Sequence, residues 1–156
     1  MSVRPTGLVV LTGLIACGAG TAEDEDDDRS GGVSAAEVGR YEGVLSVIIT
    51  EQETAGVWGC STPAVTEVSA MGAVEGAVPC ESAGLSGAFD AAWTGVVDTG
   101  GVVEGAFLAE LDGVGLELPL SGTIIQGTLS ASFAGVDDGG ESLWAYEGSI
   151  VGVLER

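Results

Sequence analysis

The sequence predicts an all-β domain from Tyr41 onward: a small antiparallel meander closing into a barrel of about seven or eight strands, with a two-sheet β-sandwich as the alternative. Three observations predict it. Apolar residues alternate with polar ones at period two, the mark of half-buried antiparallel strands. Turn signals separate the apolar runs. A short element recurs, Glu or Ser, then Gly, then a small or β-branched residue, then an apolar run. Its irregular spacing is not that of a solenoid and points to strands entered in the same way, with glycine where the chain bends or passes close to a neighbour.

Taken in order, the first strand (41–51) opens on Glu42-Gly43-Val44-Leu45. Strands over 56–60 and 65–72 follow, in a poorly patterned region with Pro63 and Pro79 near its ends. The strand over 84–97 carries Ser86-Gly87-Ala88-Phe89 and places Phe89, Trp93 and Val97 on one face. Thr99-Gly100-Gly101 makes a turn into 102–111, which carries Glu104-Gly105-Ala106-Phe107. Asp112-Gly113, the strongest short hairpin signal, leads into 114–119. The strand over 121–134 begins with Ser121-Gly122-Thr123-Ile124. One of its faces holds Thr123, Ile125, Gly127, Leu129, Ala131 and Phe133, and the other Gln126, Thr128, Ser130 and Ser132, with Ile124 out of pattern. Asp137-Asp138-Gly139-Gly140 turns into 143–154, which carries Glu147-Gly148-Ser149-Ile150. There Trp144, Tyr146, Ile150 and Leu154 share a parity, opposite Glu147, Ser149 and Glu155. Sequential hairpins favour a meander, and closure removes exposed edges. Trp58, Trp93, Trp144, Phe89, Phe107 and Phe133 are the expected anchors of a core otherwise light in Val, Ala and Gly.

Ahead of this domain, Arg4 precedes an apolar run from Gly7 to Ala16, and small Ala16 precedes Cys17. That order is the pattern of a secretory signal. The run of about ten residues reaches about half of a hydrocarbon core of about 30 Å, too short for a permanent span. Leu14-Ile15-Ala16-Cys17 resembles the lipobox of bacterial lipoprotein precursors. The resemblance covers the signal alone. It implies cleavage after residue 16, lipidation of Cys17 with acyl chains such as palmitate, and anchoring of the new N-terminus in a membrane. One chain binds a membrane weakly and two or more hold stably. Gly18 follows the cysteine rather than Asp, which by the same resemblance favours the outer membrane. The absence of an Arg-Arg pair fits the general secretory route.

The expected organisation is therefore a signal peptide (1–16), a lipidated cysteine and acidic flexible tether (17–40), and the β-domain (41–156). Glu23-Asp24-Glu25-Asp26-Asp27-Asp28 is a block of like charge that cannot bury apolar area. It reads as a solvated spacer, or as an acidic signal for surface export. It lacks the turn that converges oxygens on calcium.

Cleavage would leave three arginines against 24 acidic residues, a net charge of 3 − 24 = −21, where the full chain carries −20. Neither lysine nor histidine occurs. This excludes binding to nucleic acid, which needs cationic groups against phosphate, and excludes a polybasic attraction to anionic lipid. The acidic surface reads as adaptation to salty surroundings, with selection for a cationic partner as the alternative, and self-repulsion favours a monomer.

If Cys17 takes lipid, Cys60 and Cys80 remain as an even pair in an oxidising envelope and are expected to form a disulfide. Their spacing is far from Cys-x-x-Cys, and no histidine could complete a zinc site.

The missing residue types also remove Ser-His-Asp and Cys-His hydrolases and Schiff-base chemistry. No phosphate-cradling loop with lysine is present. Carboxylate chemistry survives by residue type, with Asp90, Glu104, Glu110, Glu117 and Glu147 as candidates, but nothing in the sequence pairs any two across a cleft. Asp137, Asp138 and Glu141 read as a polar turn rather than a calcium loop. The expectation is a non-enzymatic envelope module with a structural or binding role toward an envelope protein or small ligand, with no cofactor, metal or catalytic residue. The alternatives are a carrier of a small apolar ligand, should inward Ala and Gly leave the barrel hollow, and a carboxylate hydrolase.

Overall fold

The structure, a computed structural model, describes residues 34, 37–81, 88–111, 113–138 and 143–156. Eight antiparallel strands follow one another around a closed barrel: β1 (Gly39–Glu51), β2 (Gly56–Val68), β3 (Ala73–Glu81), β4 (Ala88–Val97), β5 (Val102–Leu111), β6 (Val114–Ile125), β7 (Thr128–Asp138) and β8 (Leu143–Leu154). β8 returns to pair with β1 from Tyr41↔Leu154 to Glu51↔Trp144. The expected meander and closure are thus both present.

Several strand boundaries differ from those the sequence predicts, each for a physical reason. The two segments over 56–60 and 65–72 are one strand, β2, and Pro63 sits within it on the exposed outer face. β3 replaces a stretch expected to be unpatterned; its inward side chains are Val74, Val78 and Cys80, and Pro79 points out. The expected break at Leu120 is absent: Pro119 belongs to a continuous β6 and lies just beyond the β6–β7 ladder, which begins at Leu120↔Phe133, so its missing N–H is tolerated there. The break falls instead at Gln126-Gly127, where both residues have positive φ (53° and 75°), as a two-residue primed turn requires. Ile124, out of pattern in the sequence, marks that turn. A two-residue hairpin pairs Ile125 with Thr128 and Ile124 with Leu129, so the inward parity changes from even to odd. Thr123 and Ile125 therefore do not share a face with Leu129, Ala131 and Phe133. The 112–113 connection is also a two-residue one, with Leu111 paired to Val114 and Gly113 at φ 79°.

The recurring glycines lie in strand interiors rather than at strand starts. Ser86-Gly87 falls outside the described residues. The others face the barrel axis. At Gly43, Gly105 and Gly122 an added methyl group would meet the backbone of the neighbouring strand, so the strands approach closely there; at Gly148, and at Gly76 outside the recurring element, a large side chain takes the room. Gly76 pairs with Trp93, and a methyl group there would overlap the Trp93 ring. Gly148 pairs with Phe133, and a methyl group would overlap both the Phe133 ring and the Ser46 carbonyl. Small barrels fill their interior by setting small residues against large ones in this way. The inward glycines at these positions are therefore occupied from across the sheet rather than left as space for a ligand.

The core runs from all eight strands into one cluster. At one end Tyr41, Thr66, Val74, Trp93, Val103, Ile124, Leu129 and Ile150 are at most 2% exposed. This closed end also receives the chain: Val38 packs against the core, and the Tyr41 hydroxyl donates to the Glu37 carbonyl at 2.7 Å. At mid-height Phe107 and Phe133 stack at 3.7 Å between centroids. Of the six expected anchors, Trp93, Phe89, Phe107 and Phe133 are core, whereas Trp58 and Trp144 stand half-buried at the opposite, open end.

Cys60 and Cys80 form the expected disulfide, with a Cα–Cα distance of 5.9 Å. Its position has a structural reason. The β2–β3 ladder holds only Thr66↔Gly76, Glu67↔Glu75 and Val68↔Val74. Beyond it lie Pro63 and Pro79, which have no N–H to donate. The disulfide joins the strands where hydrogen bonds do not.

Membrane-spanning barrels turn their apolar residues outward. Here the sealed apolar core is inside, and the outer face mixes the carboxylates of Glu75, Glu104, Glu117 and Glu147 with exposed Val44, Ile48, Val96, Val136, Val151 and Val153. Among the described residues no helix is long and apolar enough to cross a membrane.

Tyr41 and Tyr146, the two tyrosines of the chain, both have their pKa raised above the ordinary 10.0, first by burial and then by the charges of Glu37 and Asp137 respectively. A phenol whose pKa is higher folded than unfolded contributes stability that is fully present below pH 10 and is lost as the pH rises through its folded value. With no histidine or lysine in the chain, Tm is expected to be nearly flat from about pH 6 to about pH 9 and to fall above pH 10. Phenolate absorbance should rise later than for free tyrosine. Tyrosinate formation below pH 10 with the fold intact would contradict this.

Candidate functional site

The open end is the one place among the described residues where large aromatic side chains point inward without being sealed. The barrel's register brings them together in two rows. In the rim row, Glu51 of β1 pairs with Trp144 of β8, and Trp144 pairs with Asp137 of β7. In the row beneath, Ile49 pairs with Trp58 on one side and Tyr146 on the other. Directly opposed residues on one face have Cβ atoms about 5 Å apart, so Trp144 stands between two carboxylates. Glu51, Asp137, Trp58, Trp144 and Tyr146 are all half-buried. The Trp58 and Trp144 rings lie 5.1 Å apart at 32°, a tilted pair that presents ring face and ring edge together. Burial raises the Tyr146 pKa, and the Asp137 charge raises it further, which places that carboxylate within electrostatic reach of the phenol.

The charge around this end has one sign. Glu51, Glu53, Glu81, Glu110 and Asp137 belong to the strand ends and turn that form the rim. The described arginines, Arg40 and Arg156, lie at the closed end, where Arg40 contacts Glu42 at 3.3 Å and Glu155 at 3.4 Å. The Thr54 hydroxyl donates to the Glu51 carboxylate, which ties the β1–β2 turn to the rim.

The carboxylates considered for catalysis face the other way. Asp90, Glu104, Glu110, Glu117 and Glu147 are exposed on the outer face. The fold does bring three of them together: Asp90 pairs with Glu110, and both line a shallow outer depression of about 470 Å³ with Glu117. A second depression of about 560 Å³ lies over Ser46, Ser121, Ser132 and Glu147. Both are open to water. No group of three or more His, Cys, Asp or Glu among the described residues could hold a metal ion. Of the acidic turn, Asp137 faces the barrel mouth, while Glu141 and the Asp138 side chain lie outside the described residues, as do the signal, Cys17 and the acidic block of the tether.

Sequence reasoning places Trp144 and Tyr146 on one face but does not find the site. Glu51, Trp58 and Asp137 join it through strand register, which no local pattern announces.

No protein-family model matches the chain, and no curated protein matches it in sequence. Among solved structures, it is similar to part of transferrin binding protein B, a vaccine antigen from Haemophilus parasuis, solved as a crystal structure of a single-substitution variant. The TM-score is 0.49 and the identity 15%, over 76% of this chain and 27% of that one. The chain thus spans about a quarter of that protein's length.

Proposed function

We propose that this chain is a lipid-anchored, non-enzymatic binding module of the bacterial envelope, held at the outer membrane through Cys17, with the open end of its barrel as the binding surface. The observation that carries the reading is the polarity of the barrel. The chain enters at the sealed end, through Glu37 and Val38, and the half-buried aromatics lie at the other. An anchor at Cys17 would join the barrel at its sealed end and so leave the end with the half-buried aromatics clear of the attachment. The acidic block at residues 23–28 carries the same sign of charge as the barrel.

The test is the intact mass of membrane-extracted protein from a lipoprotein-processing bacterium, beside Cys17→Ser. The expected product begins at residue 17 with added acyl mass, and the substitution abolishes both the mass and membrane retention. A wild-type chain recovered without lipid would remove the anchor from the reading.

A further inference from the structure

Resting on that binding-module reading, we propose that the open end binds a small organic cation with an alkylated ammonium group, seated against Trp58, Trp144 and Tyr146 and neutralised by Glu51 and Asp137. Shape, local charge and the field of the whole chain converge on this ligand class.

The first is shape. The tilted Trp58–Trp144 pair and Tyr146 present three π systems from two adjacent rows of one wall. Ring faces attract cations, Trp most strongly, and quaternary ammonium groups are recognised by such aromatic surroundings. The second is charge. Glu51 and Asp137 flank Trp144 in the same row, and no arginine among the described residues lies at this end. Two half-buried carboxylates beside aromatic rings are poorly placed for a neutral apolar ligand and well placed for a cation. The third is the field. A net charge of −20 and a rim of carboxylates draw cations toward the mouth and repel anions.

The same field narrows the class. A ligand carrying its own anionic group beside the ammonium would meet the rim carboxylates. The site therefore selects free choline-like cations over phosphocholine, betaine or a phosphocholine lipid headgroup. An alkylated ammonium is also preferred to a bare one, whose strong hydration opposes transfer to an aromatic wall.

The test is calorimetric titration of the full chain with choline, tetramethylammonium, phosphocholine, betaine and the neutral isostere 3,3-dimethylbutan-1-ol. Choline and tetramethylammonium are expected to saturate a single site with Kd of about 1 mM or tighter. The isostere, phosphocholine and betaine should bind about tenfold more weakly or not at all. Asp137→Asn, which keeps the shape, and Trp144→Ala should each weaken choline by about tenfold. Asp90→Asn, on the outer face, should leave it unchanged. The inference is overturned if neither cation binds at tens of millimolar, if the isostere or phosphocholine matches choline, or if choline affinity survives either Asp137→Asn or Trp144→Ala. A silent titration on a chain lipidated at Cys17 would remove this ligand and leave the anchored module standing. An unlipidated chain that binds choline would do the reverse.

Discussion

Trp93→Ala is expected to produce the largest loss of stability of any single substitution in the barrel, about 3–5 kcal/mol. Trp93 is 1% exposed, among the largest side chains sealed in the core. Its removal leaves a cavity that the closed sheet cannot collapse to fill, because each strand is held on both sides. It also takes away the indole N–H that donates to the Thr66 hydroxyl at 3.1 Å, leaving a buried polar group without its partner. Chemical denaturation should show the loss as a lower midpoint at an unchanged slope. A second substitution identifies the cause. Gly76→Ala places a methyl group against the Trp93 ring and should itself destabilise by about 1–3 kcal/mol. In the Trp93→Ala background that methyl has space, so the two effects should fall well short of adding. Simple additivity would show that the glycine does not exist to admit the ring.

The second large effect is expected at the β2–β3 seam. Replacing Cys60 and Cys80 with serine, or reducing the bridge, should cost about 3 kcal/mol from the entropy regained by the unfolded chain across the 20-residue separation. Its consequence is local as well as global. Elsewhere each ladder holds six or more residue pairs, but here three hold β2 to β3, and Pro63 and Pro79 prevent extension. Hydrogen exchange should therefore accelerate first in β2 above Thr66 and in β3 above Gly76 when the bridge is removed. Uniform acceleration through all strands would show that the disulfide acts only on the unfolded state.

Much of the fold is legible in single segments. The parity of Phe89, Trp93 and Val97 and that of Trp144, Tyr146, Ile150 and Leu154 reads correctly, because side-chain direction along a strand is a local property. The turn at Thr99-Gly100-Gly101 reads correctly too: the Asp98 carboxylate accepts from the Gly100 and Val102 amides, each at 2.8 Å, a bond made within five residues. Pro63, Pro79 and Pro119 mislead, since in isolation a proline argues against a strand. Each is tolerated because it stands beyond the end of a ladder, β2–β3 for Pro63 and Pro79 and β6–β7 for Pro119. Gln126-Gly127 hides because a strand on either side of a two-residue turn keeps its alternation, and only Ile124 betrays the change of parity. The recurring glycines signal close approach, but which neighbour approaches is a matter of register, as Gly43 with Gly152 and Gly148 with Phe133 show.

By itself the sequence determined the class of the domain, the inward face of its best-patterned strands, the pair of cysteines left to bridge and the chemistries its missing lysine and histidine forbid. All of these follow from residue type and from spacings within a few positions. Tertiary structure alone decided the register in which the sheet closes, that Gly76 and Gly148 face aromatic rings, and that Glu51, Trp58, Asp137, Trp144 and Tyr146 meet at one end. Those residues are brought together from β1, β2, β7 and β8 by the closing pairing of β8 with β1. That pairing joins the two ends of the domain, and its register reflects the packing of the whole barrel rather than any stretch of the chain.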